Sequence, residues 1–368
     1  MKKKIIISII CTFLGLILFI GFYIYTKLNK ISRVTSWDTE VYTEENEKES
    51  DIEIETETEI DYTPYINKID NITNILLLGE EAIEESKEGK RGRTDTMIVL
   101  TLNKKSKGIK ITSLMRDTYV KIPGHKNNKL NSAYNIGGVP LAKQTVELNY
   151  GIKIDGCVLI GFDDLEKIVD ILGGVDVQLT KEEMEYLNEN NYISKEENRN
   201  LVEGMNHLNG NQAIGYCRIR YVATGDNESY DFGRTSRQRK VLKALFDTYK
   251  SKSIPEMIDL MDELLPYVQT DLSISEIIGL LGSAITMNMD NLETYRLPID
   301  DLYKDETYSS CGMVLVPYWI DNLKQFWSWI TDSEITTEQV QEYLNSVNID
   351  DTSTYGEDLS KLAIEQGN

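Results

Sequence analysis

From residue 74 onward, short apolar runs alternate with stretches whose apolar residues recur every three or four positions. "NILLLG" (Asn74 to Gly79) is a compact apolar run ending in glycine, the mark of a buried strand. "TMIVLTLN" (Thr96 to Asn103) and "GIKITSLM" (Gly108 to Met115) follow as strands, joined by the turn-like "KKSKG". "GCVLIG", "VDVQL" and the late "LETYRLP" read the same way. The other period belongs to helices. "GVPLAKQTVELNYG" places Leu141, Thr145 and Leu148 at helical spacing and stops at Gly151. In "FDDLEKIVDILGG", Phe162, Leu165, Ile168, Val169 and Leu172 share one face, with Gly173 as the cap. "RTSRQRKVLKALFDTYK" and two stretches between Ile254 and Met287 are also helical. Over Tyr318 to Ile330, the residues Trp319, Leu323, Phe326, Trp327 and Ile330 form one stripe, read as core packing. This alternation predicts an α/β fold, a three-layer α-β-α sandwich around a central mixed β-sheet. The folded domain is expected over 63–335 and an acidic tail over 336–368.

The N-terminal pattern is of another kind. Ile5 to Tyr25 is twenty-one residues without a charge, enough to cross roughly 30 Å of hydrocarbon as a helix. It is longer than the apolar region of a signal peptide and lacks the small-residue cleavage pattern. Lys2, Lys3 and Lys4 place residues 1–4 in the cytoplasm, by the preference of cytoplasmic flanks for positive charge. Residues 5–25 therefore predict a single transmembrane anchor, with the rest outside the cell. Asp38 to Asp61 holds twelve acids and one lysine, so 26–62 is expected to be an extended, self-repelling linker.

Charge narrows the function. The net charge is -21 and the pI near 4.6. That excludes nucleic acid as the main partner, since such binding rests on a basic surface. About half of the negative charge lies in the linker, which leaves the domain mildly acidic. The four cysteines show no disulfide or metal-ligand pattern, and the two histidines stand far apart.

Against that background, "YCRIRYVATGDNESYDFGRTSRQRK" (Tyr216 to Lys240) gathers five arginines. Further polar groups fall at strand ends: Glu81 after the first strand, "GRTDT" (Gly92 to Thr96) at the second, "SLMRDT" (Ser113 to Thr118) after the third, and "KLNSAY" beyond. Ligands of open α/β sheets collect beyond strand ends. Glu81 and Asp95 suit a hard cation such as Mg²⁺, and clustered guanidiniums suit phosphate. Together they imply a polyanion, most naturally a pyrophosphate. Arg218 and Arg220 are expected on one face of an extended segment. Asp231 is expected to orient an arginine, and Arg237 and Arg239 to be solvated.

Over roughly residues 72–247 the chain resembles the LytR-CpsA-Psr family. The resemblance rests on seven ordered blocks: "NILLLGEE", "GRTDTMIVLTLN", "ITSLMRDTYVKIPG", "KLNSAYNIGGVPLAKQTVE", "VDILGGVDVQL", "LNGNQAIGYCRIR" and "DFGRTSRQRKVL". It implies a membrane-anchored, extracytoplasmic phosphotransferase. Such an enzyme moves an anionic glycopolymer (teichoic acid, capsule or a similar wall glycan) from undecaprenyl pyrophosphate to a sugar hydroxyl of peptidoglycan. Pyrophosphate hydrolysis is the implied side reaction.

The resemblance assigns pyrophosphate binding to Arg93, Arg116, Arg218, Arg220, Arg234 and Gln238. It assigns Mg²⁺ to Asp95 and Glu81, where the family usually carries aspartate. Catalysis is expected of Asp95, Arg116, Arg218 and Arg220, with Asp117 as the proton acceptor. The C-terminal helices are expected to help form a groove for the prenyl chain. A non-catalytic wall-polymer binder is the alternative reading.

Overall fold

Leucine- and isoleucine-rich runs make strands when both of their faces can be covered. The computed structural model describes residues 32–34, 37, 71–80, 92, 94–273, 275–277, 279–280, 283, 287 and 292–350. Its central sheet contains β1 (Ser32–Arg33), β2 (Ile72–Glu80), β3 (Thr94–Asn103), β4 (Gly108–Leu114), β7 (Gly156–Gly161), β10 (Gln269–Thr270) and β11 (Leu292–Leu297). Their order is β1-β10-β7-β2-β3-β4-β11. β3 runs antiparallel to both neighbours, whereas β2 with β7 and β4 with β11 are parallel pairs. The sheet is therefore mixed, as the sequence predicts.

Helices cover both faces. On one side α1 (Leu130–Tyr150), α7 (Trp319–Thr331) and α8 (Thr337–Ser346) pack on Leu76, Met97 and Val99. On the other lie α2 (Phe162–Ile171), α4 (Gly210–Arg218), α5 (Tyr230–Lys250) and α6 (Ile254–Leu264), around a second core that includes Val169, Tyr216 and Val241. The aromatic stripe of α7 is buried as expected, and the Trp327 indole donates to the Tyr150 carbonyl at 2.8 Å.

Several segments depart from expectation. α1 begins at Leu130, ahead of the expected start. It is broken at Gly137 and Gly138, where Gly138 has φ +64° and Pro140 follows without an amide donor. "VDVQL" forms β8 (Val175–Leu179) but pairs with β9 (Gly204–Leu208) in a separate two-stranded sheet. The stretch after 335 is not simply a tail: in α8, Val340, Tyr343 and Leu344 are buried in the first core. Residues 32–34, placed by the sequence within the linker, pair in parallel with β10, where a short edge strand offered unpaired backbone groups. Trp37 Nε1 adds a hydrogen bond to Asp271 Oδ2 at 3.4 Å. The predicted anchor 5–25 and the acidic run 38–61 lie outside the described residues, among which no helix is long and apolar enough to cross a membrane.

Candidate anion site at the sheet end

Five pieces of chain meet where β2 and β4 end and β3 begins. Asp95 is the second residue of β3 and its side chain is 6% exposed. Arg116 and Asp117 lie in the turn after β4. That turn is pinned because the first amides of α1 donate into it, Leu130 N to the Thr118 carbonyl and Asn131 N to the Arg116 carbonyl. β6 (Asn128–Lys129), paired with β5 (Tyr119–Val120), brings in Lys129, Arg220 follows α4, and α5 contributes Asp231, Arg234 and Gln238.

Three guanidiniums converge on Asp95. Arg116 Nη1 reaches Oδ1 at 2.5 Å, while Arg234 Nη1 and Arg220 Nη2 reach Oδ2 at 2.7 and 3.2 Å. Asp231 Oδ1 lies 2.9 Å from Arg234 and 3.3 Å from Arg116, so it orients arginines as expected. Asp117 sits 3.4 Å from Arg116 Nε and 2.8 Å from Lys129 Nζ. Four cations thus face three carboxylates, an excess of positive charge in an acidic protein.

Burial by itself would raise the Asp95 carboxyl. The guanidiniums of Arg234, Arg116 and Arg220 outweigh it and hold the group below its ordinary value. For Arg116, burial pulls the other way, and Asp231 and Asp95 keep its pKa above the ordinary value. Arg234 is drawn down by burial, and Arg116 and Arg220 add to this as like-charged neighbours. Arg234 Nε and Gln238 Nε2 are buried donors without a hydrogen-bond acceptor among the described residues. Such groups suit a ligand rich in acceptor oxygens.

The remaining predicted residues fall as follows. Arg218 is the last residue of α4 and exposed, so it and Arg220 do not share an extended segment: the helix ends between them at Ile219. Glu81 and Arg93 lie outside the described residues. Of Arg237 and Arg239, both read as solvated, Arg237 is buried and Arg239 half-buried. Arg237 is 0% exposed against Glu183, and the Arg239 side chain is 11% exposed, 3.7 Å from Glu228. Lys129 was missed as a site residue, although "KLNSAY" pointed at its loop.

The donor set can be weighed for a metal. Asp95 is ionised, as a hard cation requires, but each of its oxygens already receives a guanidinium. No cluster of three or more histidines, cysteines or acids stands ready among the described residues. Mg²⁺ commonly binds through one or two carboxylates plus substrate phosphates. The site fits that mode, with the cation arriving beside an anion, rather than a preformed cage.

An apolar path leads away from the cluster. Gln238 lines a cavity of about 100 Å³ together with Leu77, Ile98, Phe162, Val241 and Leu242. Leu77 and Leu242 also border a second cavity of about 350 Å³, lined by Leu100, Ile111, Phe246 and Leu265. Arg234, Gln238, Leu242 and Phe246 follow one another at four-residue steps along α5. One helix face thus passes from guanidinium through amide to hydrocarbon over about 18 Å.

The comparisons agree with this architecture. Polyisoprenyl-teichoic acid–peptidoglycan teichoic acid transferase TagV of Bacillus subtilis (strain 168) is 31% identical over 62% of this chain and 57% of its own length. The corresponding enzyme TagU of Enterococcus faecalis (strain ATCC 700802 / V583) is 34% identical over 55% of this chain and 62% of its own. The chain therefore spans about three fifths of these relatives. The crystal structure of B. subtilis TagT superposes with a TM-score of 0.54 at 25% identity, covering 76% of this chain and 92% of that one. TagT bound to LI-WTA gives 0.52 with the same identity and coverage. The family model matches residues 27–314, and the chain belongs to the LytR_cpsA_psr family.

Proposed function

We propose that this protein is a membrane-anchored, extracytoplasmic phosphotransferase. It moves an anionic glycopolymer from a polyprenyl-pyrophosphate carrier to a sugar hydroxyl of peptidoglycan. The observation that carries the reading is the continuity of polar cluster and apolar cavities along α5, since a prenyl pyrophosphate has the same order of parts. Support comes from relatives named as teichoic acid transferases and from the TagT complex with LI-WTA.

Arg116, Arg220 and Arg234 hold the pyrophosphate oxygens, and their charge-assisted bonds strengthen as negative charge builds on the leaving prenyl phosphate. Arg218 and Arg93 complete the set. Asp95 keeps the arginines in register before substrate arrives. Mg²⁺ held by Asp95, with Glu81, would supply charge neutralisation between the two phosphates. The acceptor hydroxyl oxygen bonds to the polymer-side phosphorus, the bridging P–O bond breaks, and prenyl phosphate leaves. Asp117, half-buried at the rim between Lys129 and Arg116, takes the hydroxyl proton. Water in place of the sugar gives slow hydrolysis.

The test is phosphate release from a prenyl pyrophosphate. Turnover that stops on chelation and returns with Mg²⁺ is the expected result. Tight binding without turnover at any Mg²⁺ concentration would support the polymer-binder reading instead.

A further inference from the structure

Arg237 neighbours Gln238 on α5 but points away from the anion site, and its side chain is wholly enclosed. Nε donates to Glu183 Oε1 at 2.8 Å, Nη1 to the Ile219 carbonyl at 3.2 Å, and Nη2 to the Val222 carbonyl at 2.8 Å. The Arg237 guanidinium carbon lies 5.7 Å from the centre of the Tyr216 ring. Glu183 is itself fixed at the start of α3 (Lys181–Glu189), where Oε2 accepts from Thr180 N at 2.9 Å. The chain from Ile219 to Val222 belongs to no helix or strand, and Arg220 stands between the two carbonyls that Arg237 holds.

We propose that Arg237 is a positioning residue for the anion site: it braces residues 219–222 so that Arg220 is presented to the pyrophosphate. Arg220 cannot do this alone. Its side chain is 35% exposed, and its contact with Asp95 is a single bond at 3.2 Å. A long side chain so lightly held takes its direction from its backbone. A buried ion pair is weak evidence for stability, since an apolar pair of similar volume often serves as well. An apolar pair would, however, leave two carbonyls of an irregular segment without donors. One guanidinium serves a carboxylate and two carbonyls at once; an ammonium lacks that planar fork.

The service to Arg220 rests on the proposed pyrophosphate chemistry, whereas the brace itself does not, so two readouts are needed. Arg237→Lys keeps a positive charge opposite Glu183 and gives up the fork. Amide hydrogen exchange should rise over 219–225 and stay unchanged in the sheet. Prenyl-pyrophosphate turnover should fall by roughly 10²-fold, the scale of a small misplacement of a reacting group. Adding Arg220→Ala to Arg237→Lys should then cost far less than Arg220→Ala costs the wild type. If Arg237→Lys fails to fold, the neutral pair Glu183→Gln with Arg237→Gln leaves no charge buried and should show the same non-additivity. Unchanged exchange over 219–225 would overturn the brace. Full multiplication of the two losses would overturn its link to Arg220. A wild type without turnover or affinity for prenyl pyrophosphate would count against the functional reading and leave the exchange result standing.

Discussion

The Arg234 guanidinium grips Asp95 twice, through Nη1 to Oδ2 at 2.7 Å and through Nη2 to its backbone carbonyl at 3.2 Å. Both side chains are almost fully enclosed, and Arg234 leads the guanidiniums that compensate Asp95 for leaving water, while Asp231 and Asp95 together compensate Arg234. Asp95→Asn should remove about 3–5 kcal/mol of stability, because it strands a buried guanidinium beside two others. It should also abolish turnover. Urea unfolding of both proteins at neutral pH checks the first part.

The same pair predicts a dependence on pH. The folded Asp95 pKa lies below the ordinary 3.8, so its ionised form is favoured by folding. That contribution is fully present above the unfolded value and is lost as pH falls below 3.8 toward the folded value. The stability gap between wild type and Asp95→Asn should therefore be constant from pH 7 to 5 and close progressively below pH 4. A gap that widened on acidification would contradict the assignment.

Arg220 and Arg239 should separate activity from stability. Arg220→Ala, at the accessible side of the cluster, should lower turnover by roughly 10²- to 10³-fold with little change in melting. Arg239→Ala removes a half-buried partner of Glu228 and should cost about 1–3 kcal/mol. Its turnover well below the melting point should stay near wild type. Parallel melting curves and phosphate release on the two variants decide the matter.

If Asp117 takes the hydroxyl proton, Asp117→Asn should reduce kcat by about 10²- to 10⁴-fold. KM for the prenyl pyrophosphate should change little, because the lipid headgroup is held by the arginines. Steady-state kinetics on a defined lipid substrate separate the two constants. A loss confined to KM would reassign Asp117 to binding.

Leu242 borders both apolar cavities, so Leu242→Trp should obstruct the passage between them. KM for a long prenyl pyrophosphate should rise about tenfold, equivalent to about 1.4 kcal/mol of lost contact. A short-chain analogue that never reaches Leu242 should be handled as before. Equal effects on both chain lengths would place the lipid elsewhere.

The layered α/β fold was legible because the central strands are continuous apolar runs and the helices carry clean stripes. The anion site was legible from the density of arginines in an acidic chain and from their position at strand ends. What stayed hidden depended on partners distant in sequence. Arg237 reads as solvent-facing until Glu183, fifty-four residues earlier, is brought against it. α8 did show a signal, with Val340, Tyr343, Leu344 and Val347 at helical spacing, but acidic surroundings masked it. β1 is two residues long and exists through an exposed edge, which no local pattern announces.

The pairing of β1 with β10 sets a working radius. If 5–25 spans the bilayer, as proposed, only residues 26–31 separate the membrane exit from the first residue held by the sheet. Fully extended, six residues reach about 20 Å. The chain is held by the sheet at Ser32–Arg33 before the acidic run and at Ile72 after it. Under the proposed anchoring, the sheet edge that carries β1 and β10, whose Thr270 lines the larger cavity, would be kept within that distance of the bilayer. On the proposed function and anchoring, such a tether would confine transfer to glycan strands that lie against the membrane and leave older, outer layers of the wall out of reach.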